Sequence, residues 1–435
     1  MSTAKLILAI NAGSSSVKLS LYSSTPPDSE RKTGNAPCLI LQSSVSNLTS
    51  PPAVFSYTHT ENSSTSSNVK SKELPDVKSQ DDAFKHFLEY LSKDSDLKQV
   101  NSGEDITFAC HRIVHGGDYE RPVVINEKSL NYLKELTDLA PLHNSPALSL
   151  VQTTLKQLPK TTNIAYFDTS FHTLSMPEHI KTYPVNLEHA RRNKIRKYGF
   201  HGISYSFIVT EVAEYLKKSV EETSIIALHL GSGASACAIR NGKSLDNSMG
   251  LTPLEGLPGA TRSGTVDPSL VFHYTSNAGR ISHSGTEDMQ ISKAEEILNK
   301  KSGWSSIIGT TDFSKLKSDS PPPHSELVFD LFVDRIHNYI GAYFVKLRGK
   351  VDALVFAGGI GEKSFELREA VVDGVQCLGF SLNKRANENI EKENGIVLNI
   401  GEESARAPKV LICSTDEQFE MARECARDKE FWSKL

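Results

Sequence analysis

The sequence predicts an α/β protein whose two halves repeat one plan, and three observations carry that prediction. The chain opens on LILAINAGSSSVKLSLY, an apolar run, a tight Asn/Gly/Ser turn and a second, alternating run. The same plan returns at mid-chain, where IIALHL leads into GSGAS and then ACAIR. Further along, strand-like runs hand polar residues to helix starts, the habit of α/β sheets whose ligands sit at strand carboxyl ends.

Residues 6–10 read as a buried strand, and Val17, Leu19 and Leu21 alternate with polar positions as a second. The turn between them supplies backbone N–H groups and small hydroxyls, followed by the cation Lys18. Such a turn lets amides approach an anion closely, although Gly and Ser are also ordinary hairpin residues. Its recurrence favours a duplicated fold closing on a phosphate from both sides. Residues 23–80 are dense in Ser, Thr, Pro and Lys, and ENSSTSSN at 61–68 can bury little surface. The expectation there is a mobile loop or an edge insertion. A helix is expected over 83–91, a strand over 106–110 delivering His111, Arg112 and His115, and a helix over 130–139. Ser145 before Pro146 reads as a helix N-cap. A strand over 163–167 presents Asp168 at its end.

In the second half, strands are expected over 225–230 and 236–240, with a turn at Asn241–Gly242. The aperiodic run 248–264 is too constrained in composition for disorder and reads as a functional loop. Helices follow over 294–300 and 327–347. A strand over 353–356 breaks into AGGIGE, with a helix from about Ser364; a last strand over 410–413 leads into STDEQ and a closing helix.

At 435 residues the chain outgrows one typical core and suits two domains. A net charge of −4 argues against nucleic acid or an anionic membrane as partner. Cys38, Cys110, Cys237, Cys377, Cys413 and Cys425 show no C-x-x-C pair, so reduced packing residues are expected. No apolar stretch approaches the roughly 18–20 residues a spanning helix needs. With no secretory pattern at the start, a cytoplasmic protein is expected.

NAGSSSVK, HRIVHGG, APLHNSPAL, FDTSFH, YGFHGIS, HLGSGAS, MGLTPLEGLPGATRSGTVDP, GTTDF, AGGIGE and STDEQ together resemble the acetate kinase family. That family sits in the superfamily of acetate and sugar kinases, heat-shock chaperones and actin. The resemblance implies duplicated actin-like (ribonuclease H-like) domains, each a mixed sheet flanked by helices, as two lobes around a cleft. The lobes expected are 1–170 with 419–435, and 171–418 carrying the nucleotide site and the interface of a homodimer. The implied reaction is reversible in-line phosphoryl transfer between ATP and acetate, giving ADP and acetyl phosphate. The implied ion is Mg²⁺, with Mn²⁺ also suited to the role.

Such a reaction brings anions together, so catalysis is mostly positioning and charge neutralisation. Two guanidinium forks, Arg112 and Arg262, match the family's essential arginines and suit a carboxylate and a phosphoryl in flight. By the same resemblance His201 donates a hydrogen bond to the phosphoryl, while His143 and His229 either touch substrate or orient loops. Asp168 and Glu417 organise the metal together with Asn11, although Asp416 leaves the last assignment open by one position. Asn11, Ser14, Ser16 and Lys18 match one phosphate loop, and Gly231, Ser232 and Gly233 the second. Asp312, Phe313, Ser314, Gly359, Ile360 and Gly361 line the nucleoside side. Val114, Leu142, Phe200 and Pro253 match the pocket for the acetate methyl. Such a pocket discriminates by roughly 1–3 kcal/mol per methylene, so propionate is expected to be slower rather than refused.

The chain departs from the family pattern at several positions. Ser232 replaces an Asn, Ser314 an Arg that could stack on a base, and Tyr205 follows YGFHGIS where the family has His. Lys363 adds a charge on the ribose side. Ser232 and Ser314 keep open a pyrophosphate-dependent enzyme. The same motifs also admit a propionate kinase or a non-enzymatic nucleotide switch.

Overall fold

The computed structural model describes the chain except residues 1–3, 14, 28–35, 61–66, 98–99, 101–102, 137–140, 275–278, 283–290, 391–394, 404–406 and 435; for 141–143 it describes the backbone alone. Two compact units emerge, Met1–Ser170 with Asp416–Leu435, and Phe171–Thr415. Asp416, Glu417 and Gln418, expected in the second lobe, group with the first unit. The reason is local: Asp416 caps helix Glu417–Arg427, accepting from Phe419 N at 2.8 Å, and that helix packs on the first unit's sheet.

The first unit holds an eight-stranded mixed sheet. Its strands are β1 (Lys5–Ala12), β2 (Val17–Ser24), β3 (Cys38–Ser46), β4 (Ala53–His59), β5 (Val69–Leu74), β6 (Ile106–Ile113), β7 (Val123–Val124) and β8 (Thr162–Phe167). They lie in the order β5-β4-β3-β2-β1-β6-β8-β7. β1 and β2 form the expected hairpin, while β6 runs parallel to β1 and β8 parallel to β6. The Ser/Thr-rich stretch is thus largely an edge insertion built of strands. Leu41, Val45, Phe55 and Tyr57 alternate with polar residues and are fully buried, which commits β3 and β4 to the sheet despite their composition. Residues 61–66, where a loop was most expected, lie outside the described residues. Helix Gln80–Ser92 is capped by Ser79, and buries Phe84, Phe87 and Leu91 in the core shared with β4. Each such burial contributes about 1.5–3 kcal/mol.

Ser145 is not an N-cap. The helix begins at Pro141 and continues through Pro146 to Gln157. Pro141 starts it with φ already set, and Pro146 forfeits one backbone bond without ending it. Asn144 on this helix is fully buried and clamps His115, accepting from its N at 2.9 Å and donating to its O at 3.0 Å.

The second unit holds a six-stranded sheet of β9 (Ile225–Leu230), β10 (Ala234–Arg240), β11 (Lys243–Asn247), β12 (Ala353–Ala357), β13 (Val397–Asn399) and β14 (Lys409–Cys413). Its order is β11-β10-β9-β12-β14-β13. Overlaying the two orders exposes the duplication: β3-β2-β1-β6-β8 corresponds to β11-β10-β9-β12-β14. In each case an antiparallel meander precedes two parallel strands. β12 and β14 read as continuous apolar runs because both faces are covered. Helix Ser325–Lys346 buries Phe332, Ile336 and Ile340 in this core.

The glycine run after β12 is itself helical, Gly358–Lys363, followed by a second helix, Phe365–Gly374. Gly358 starts it at φ +74°, where an added Cβ would lie 2.8 Å from the Leu230 carbonyl oxygen, so only glycine fits. Among the described residues no disulfide links the six cysteines. Among the described residues no helix is long and apolar enough to cross a membrane.

Candidate active site

In the first unit the chemistry gathers at the carboxyl ends of β1, β6 and β8 and at the start of helix Glu417–Arg427. Arg112, near the end of β6, donates from Nε and Nη2 to the two oxygens of Asp168 at 2.9 and 2.7 Å. Its Nη1 lies 3.2 Å from Asn11 Oδ1 and 3.1 Å from Glu417 Oε2. Asn11 Nδ2 closes the ring by donating to Glu417 Oε2 at 3.0 Å. Asp168 is 1% exposed and the Arg112 side chain 19%, so the fork is held from the buried side with an edge left open. Burial opposes the Arg112 charge, but Asp168 and then Glu417 outweigh it and hold the guanidinium more firmly protonated than an ordinary arginine. Four of its five N–H donors are engaged, even counting the Glu417 contact.

The family resemblance implies a metal-organising role for Asp168. Here its partner is the guanidinium, to which both oxygens turn. Glu417 fits a cation better: its Oε1 lies outside these bonds, and one guanidinium facing two carboxylates leaves an excess negative charge. Ser16 closes the β1–β2 turn, its O accepting from Gly13 N at 2.8 Å, and Lys18 is exposed opposite Asn11 in the hairpin. Val114, half-buried, follows β6. Ser14 and the side chains of Leu142 and His143 lie outside the described residues.

The second unit assembles His201, His229, Pro253, Arg262 and the glycine loop between β9 and β10. His201 precedes helix Gly202–Leu216 with φ 58°, a left-handed conformation uncommon for a residue with a Cβ. Its Nδ1 lies 2.8 Å from Ser235 Oγ, and its ring stands 4.3 Å from that of His229. His229 Nδ1 is 2.8 Å from Ser204 Oγ. Arg262 comes from the aperiodic loop, which lies along the glycine loop: Ala260 N donates to Ser232 O at 2.8 Å, and Gly259 leaves no room for a Cβ against that same oxygen. A Cβ on Gly233 would approach Arg262 Nη1 to 3.1 Å, and that Nη1 reaches Pro253 O at 3.5 Å. Phe200 is fully buried; its carbonyl accepts from His172 Nε2 at 3.0 Å and from Asn247 Nδ2 at 3.2 Å.

Beside this cluster, within the same unit, opens a cavity of about 650 Å³. Ser232, Asp312, Phe313, Ser314, Gly359 and Ile360 line it. Gly231, Gly233 and Gly361 do not; Gly361 packs on Leu230 and Phe356. Asp312 accepts from Ser314 N at 3.0 Å and Ser314 Oγ at 2.7 Å, bonds that lower its pKa. Lys317 and Phe365 also line the cavity, and no sequence motif marked them.

Arg368 was missed as well. It is fully buried, donating to the carbonyls of Gly361 and Glu362 at 2.9 and 2.8 Å and to Asn387 Oδ1 at 2.6 Å. It thereby ties down the short glycine helix flooring the cavity. An arginine between Leu367 and Val371 on an apolar helix face was the signal available.

The chain matches the family model described as Acetokinase family over residues 6–423. A probable acetate kinase of Emericella nidulans is 54% identical, over 97% of this chain and 98% of its own. The crystal structure of Porphyromonas gingivalis acetate kinase superposes with a TM-score of 0.77 at 31% identity, covering 97% of this chain and 98% of that one. A propionate kinase from Francisella tularensis gives 0.78 at 30% identity and the same coverage. Family model, relatives and fold agree: the chain belongs to the acetokinase family, phosphotransferases with a carboxyl group as acceptor.

Proposed function

We propose that this chain interconverts ATP and acetate with ADP and acetyl phosphate, working with Mg²⁺ as a cytoplasmic homodimer. A carboxylate oxygen of acetate attacks the γ-phosphorus while the bond to the β–γ bridging oxygen breaks, so no proton need move. The observation that carries this reading is the Arg112 fork, fixed by Asp168 and still holding a free edge. It is a preorganised cation where an acid–base pair would have no task. Asp168 acts through Arg112 and is a positioning residue.

In the second unit, Arg262 and His201 supply a cation and a donor for phosphoryl oxygens, with His229, Gly231 and Gly233 shaping that surface. The cavity lined by Ser232, Asp312, Phe313, Ser314, Gly359 and Ile360 is of a size that suits a nucleoside and favours ATP over pyrophosphate. Asn11, Ser16 and Lys18 take the phosphate-side role, and within the first unit Val114 is the residue offered to the acetate methyl. Glu417, with Asn11 beside it, would hold a water-rich divalent ion, which when bound would neutralise phosphate charge.

Steady-state rates with ATP and pyrophosphate as donors, against acetate, propionate and butyrate, test the proposal. Fastest turnover with ATP and acetate is expected; turnover confined to pyrophosphate would overturn the donor. The match to a propionate kinase makes propionate the acid to compare first. Arg262→Ala is expected to lower kcat by about 100-fold or more while nucleotide still binds; unchanged kcat would remove Arg262 from the mechanism.

A further inference from the structure

Two buried hydroxyls beside His201 have no role in the scheme above. Tyr205 lies in the first turn of helix Gly202–Leu216, fully buried, with its OH 2.6 Å from Ser235 Oγ. Ser235, also fully buried, lies on β10 with its Oγ 2.8 Å from His201 Nδ1. Burial keeps the phenol protonated.

Each hydroxyl has one hydrogen to give. The Tyr205 phenol is buried, so its hydrogen needs an acceptor in a dry interior. Among the described residues that acceptor is Ser235 Oγ. Ser235 therefore turns its own hydrogen to the remaining partner, His201 Nδ1. The opposite order, with Nδ1–H donating to Ser235 and Ser235 to Tyr205, strands the phenol hydrogen. That is disfavoured by roughly tenfold to a hundredfold in population.

We propose that Tyr205 and Ser235 form a hydrogen-bond relay that fixes neutral His201 as its Nε2–H tautomer, keeping the outer ring nitrogen a donor for a phosphoryl oxygen. The left-handed backbone at His201 fits this picture, since strain at that position is held by surroundings that dictate where the ring points. Tyr205 stands where the sequence departs from the family pattern. The relay rests on the reading of His201 as the phosphoryl's hydrogen-bond donor. Tyr205 and Ser235 are positioning residues, acting through the ring.

Nitrogen-15 NMR of the full-length protein labelled at histidine tests it, at a pH where the ring is neutral. The His201 resonances are assigned by their loss in His201→Ala. Protonated Nε2 with unprotonated Nδ1 is expected in the unaltered protein, and a mixture of tautomers in Tyr205→Phe. That variant should lose about tenfold in kcat with KM for acetate and nucleotide changed by less than about twofold. Ser235→Ala removes the donor directly and should act in the same direction, which keeps the test alive if Tyr205→Phe fails to fold. A protonated Nδ1 in the unaltered protein would overturn the relay. So would a folded Tyr205→Phe with unchanged tautomer and kcat. Undiminished turnover in His201→Ala would instead overturn the role of the histidine itself, an outcome the tautomer measurement does not depend on.

Discussion

The two glycine- and serine-containing hairpins share a plan and a place in their sheets, yet their surroundings differ in kind. The β1–β2 hairpin is bound to charges: Asn11 touches both Arg112 and Glu417, and Arg112 is forked onto Asp168. The β9–β10 hairpin is bound to a largely neutral lattice, in which Ser235 and Ser204 each hold a histidine. A duplicated backbone thus carries two electrostatic regimes. The charged one orients a cation, and losing that cation is costly because two carboxylates lose the charge they face. In the neutral one, each hydroxyl fixes the direction of a hydrogen, and losing one costs far less.

Removing Arg112 should break the contrast most severely. Arg112→Ala takes from Asp168, 1% exposed, the guanidinium that both its oxygens face, so a stability loss of about 3 kcal/mol is expected in denaturant unfolding. Turnover should fall by about 1,000-fold or more. Asp168→Asn should lose less stability, because Arg112 keeps Glu417. If both variants unfold like the unaltered protein, the network is not the brace inferred here.

Acid should sharpen the comparison next, since each unit buries a neutral histidine. His111 bonds Asn163 at 2.8 Å in the first unit, and His172 bonds Ser244 at 2.7 Å in the second. Burial lowers both pKa values to about 4. Their folded values lie below the unfolded value of about 6.5, so their contribution is complete above that pH and drains away toward pH 4. By pH 5 each should have cost about 2 kcal/mol. Unfolding curves at pH 7 and pH 5 check this, and His111→Gln or His172→Gln should each flatten the dependence; equal stability at the two pH values would refute it.

The smallest effect is expected at Gly233→Ala. Its Cβ would press on Arg262 Nη1 from 3.1 Å, a contact a side-chain end can relieve by moving. Stability should change by less than about 1 kcal/mol, while kcat drops about tenfold as the guanidinium shifts. A kcat within twofold of the unaltered protein would mean Arg262 works from another position.

Most strands and the longer late helices could be read from the chain because their signals are local. The alternation of Val17, Leu19 and Leu21 marks β2, and the apolar run at 353–356 marks β12. Arg112, Asp168 and Glu417 could be named singly, since each sits where a strand ends or a helix begins. Composition over 23–80 left a loop and an edge insertion both open, and the alternating apolar set buried in β3 and β4 decided for the edge. Local cap rules misled at Ser145, where Pro146 is carried inside a longer helix. What the chain alone determined was the duplicated order of strands and turns, written in patterns a few residues long. Only the tertiary structure decided that Asp168 belongs to Arg112, that Arg368 ties down a glycine helix, and that Ser235 stands between Tyr205 and His201. Those pairings join residues distant in sequence, and their hydrogen-bond distances come from how helices seat on sheets.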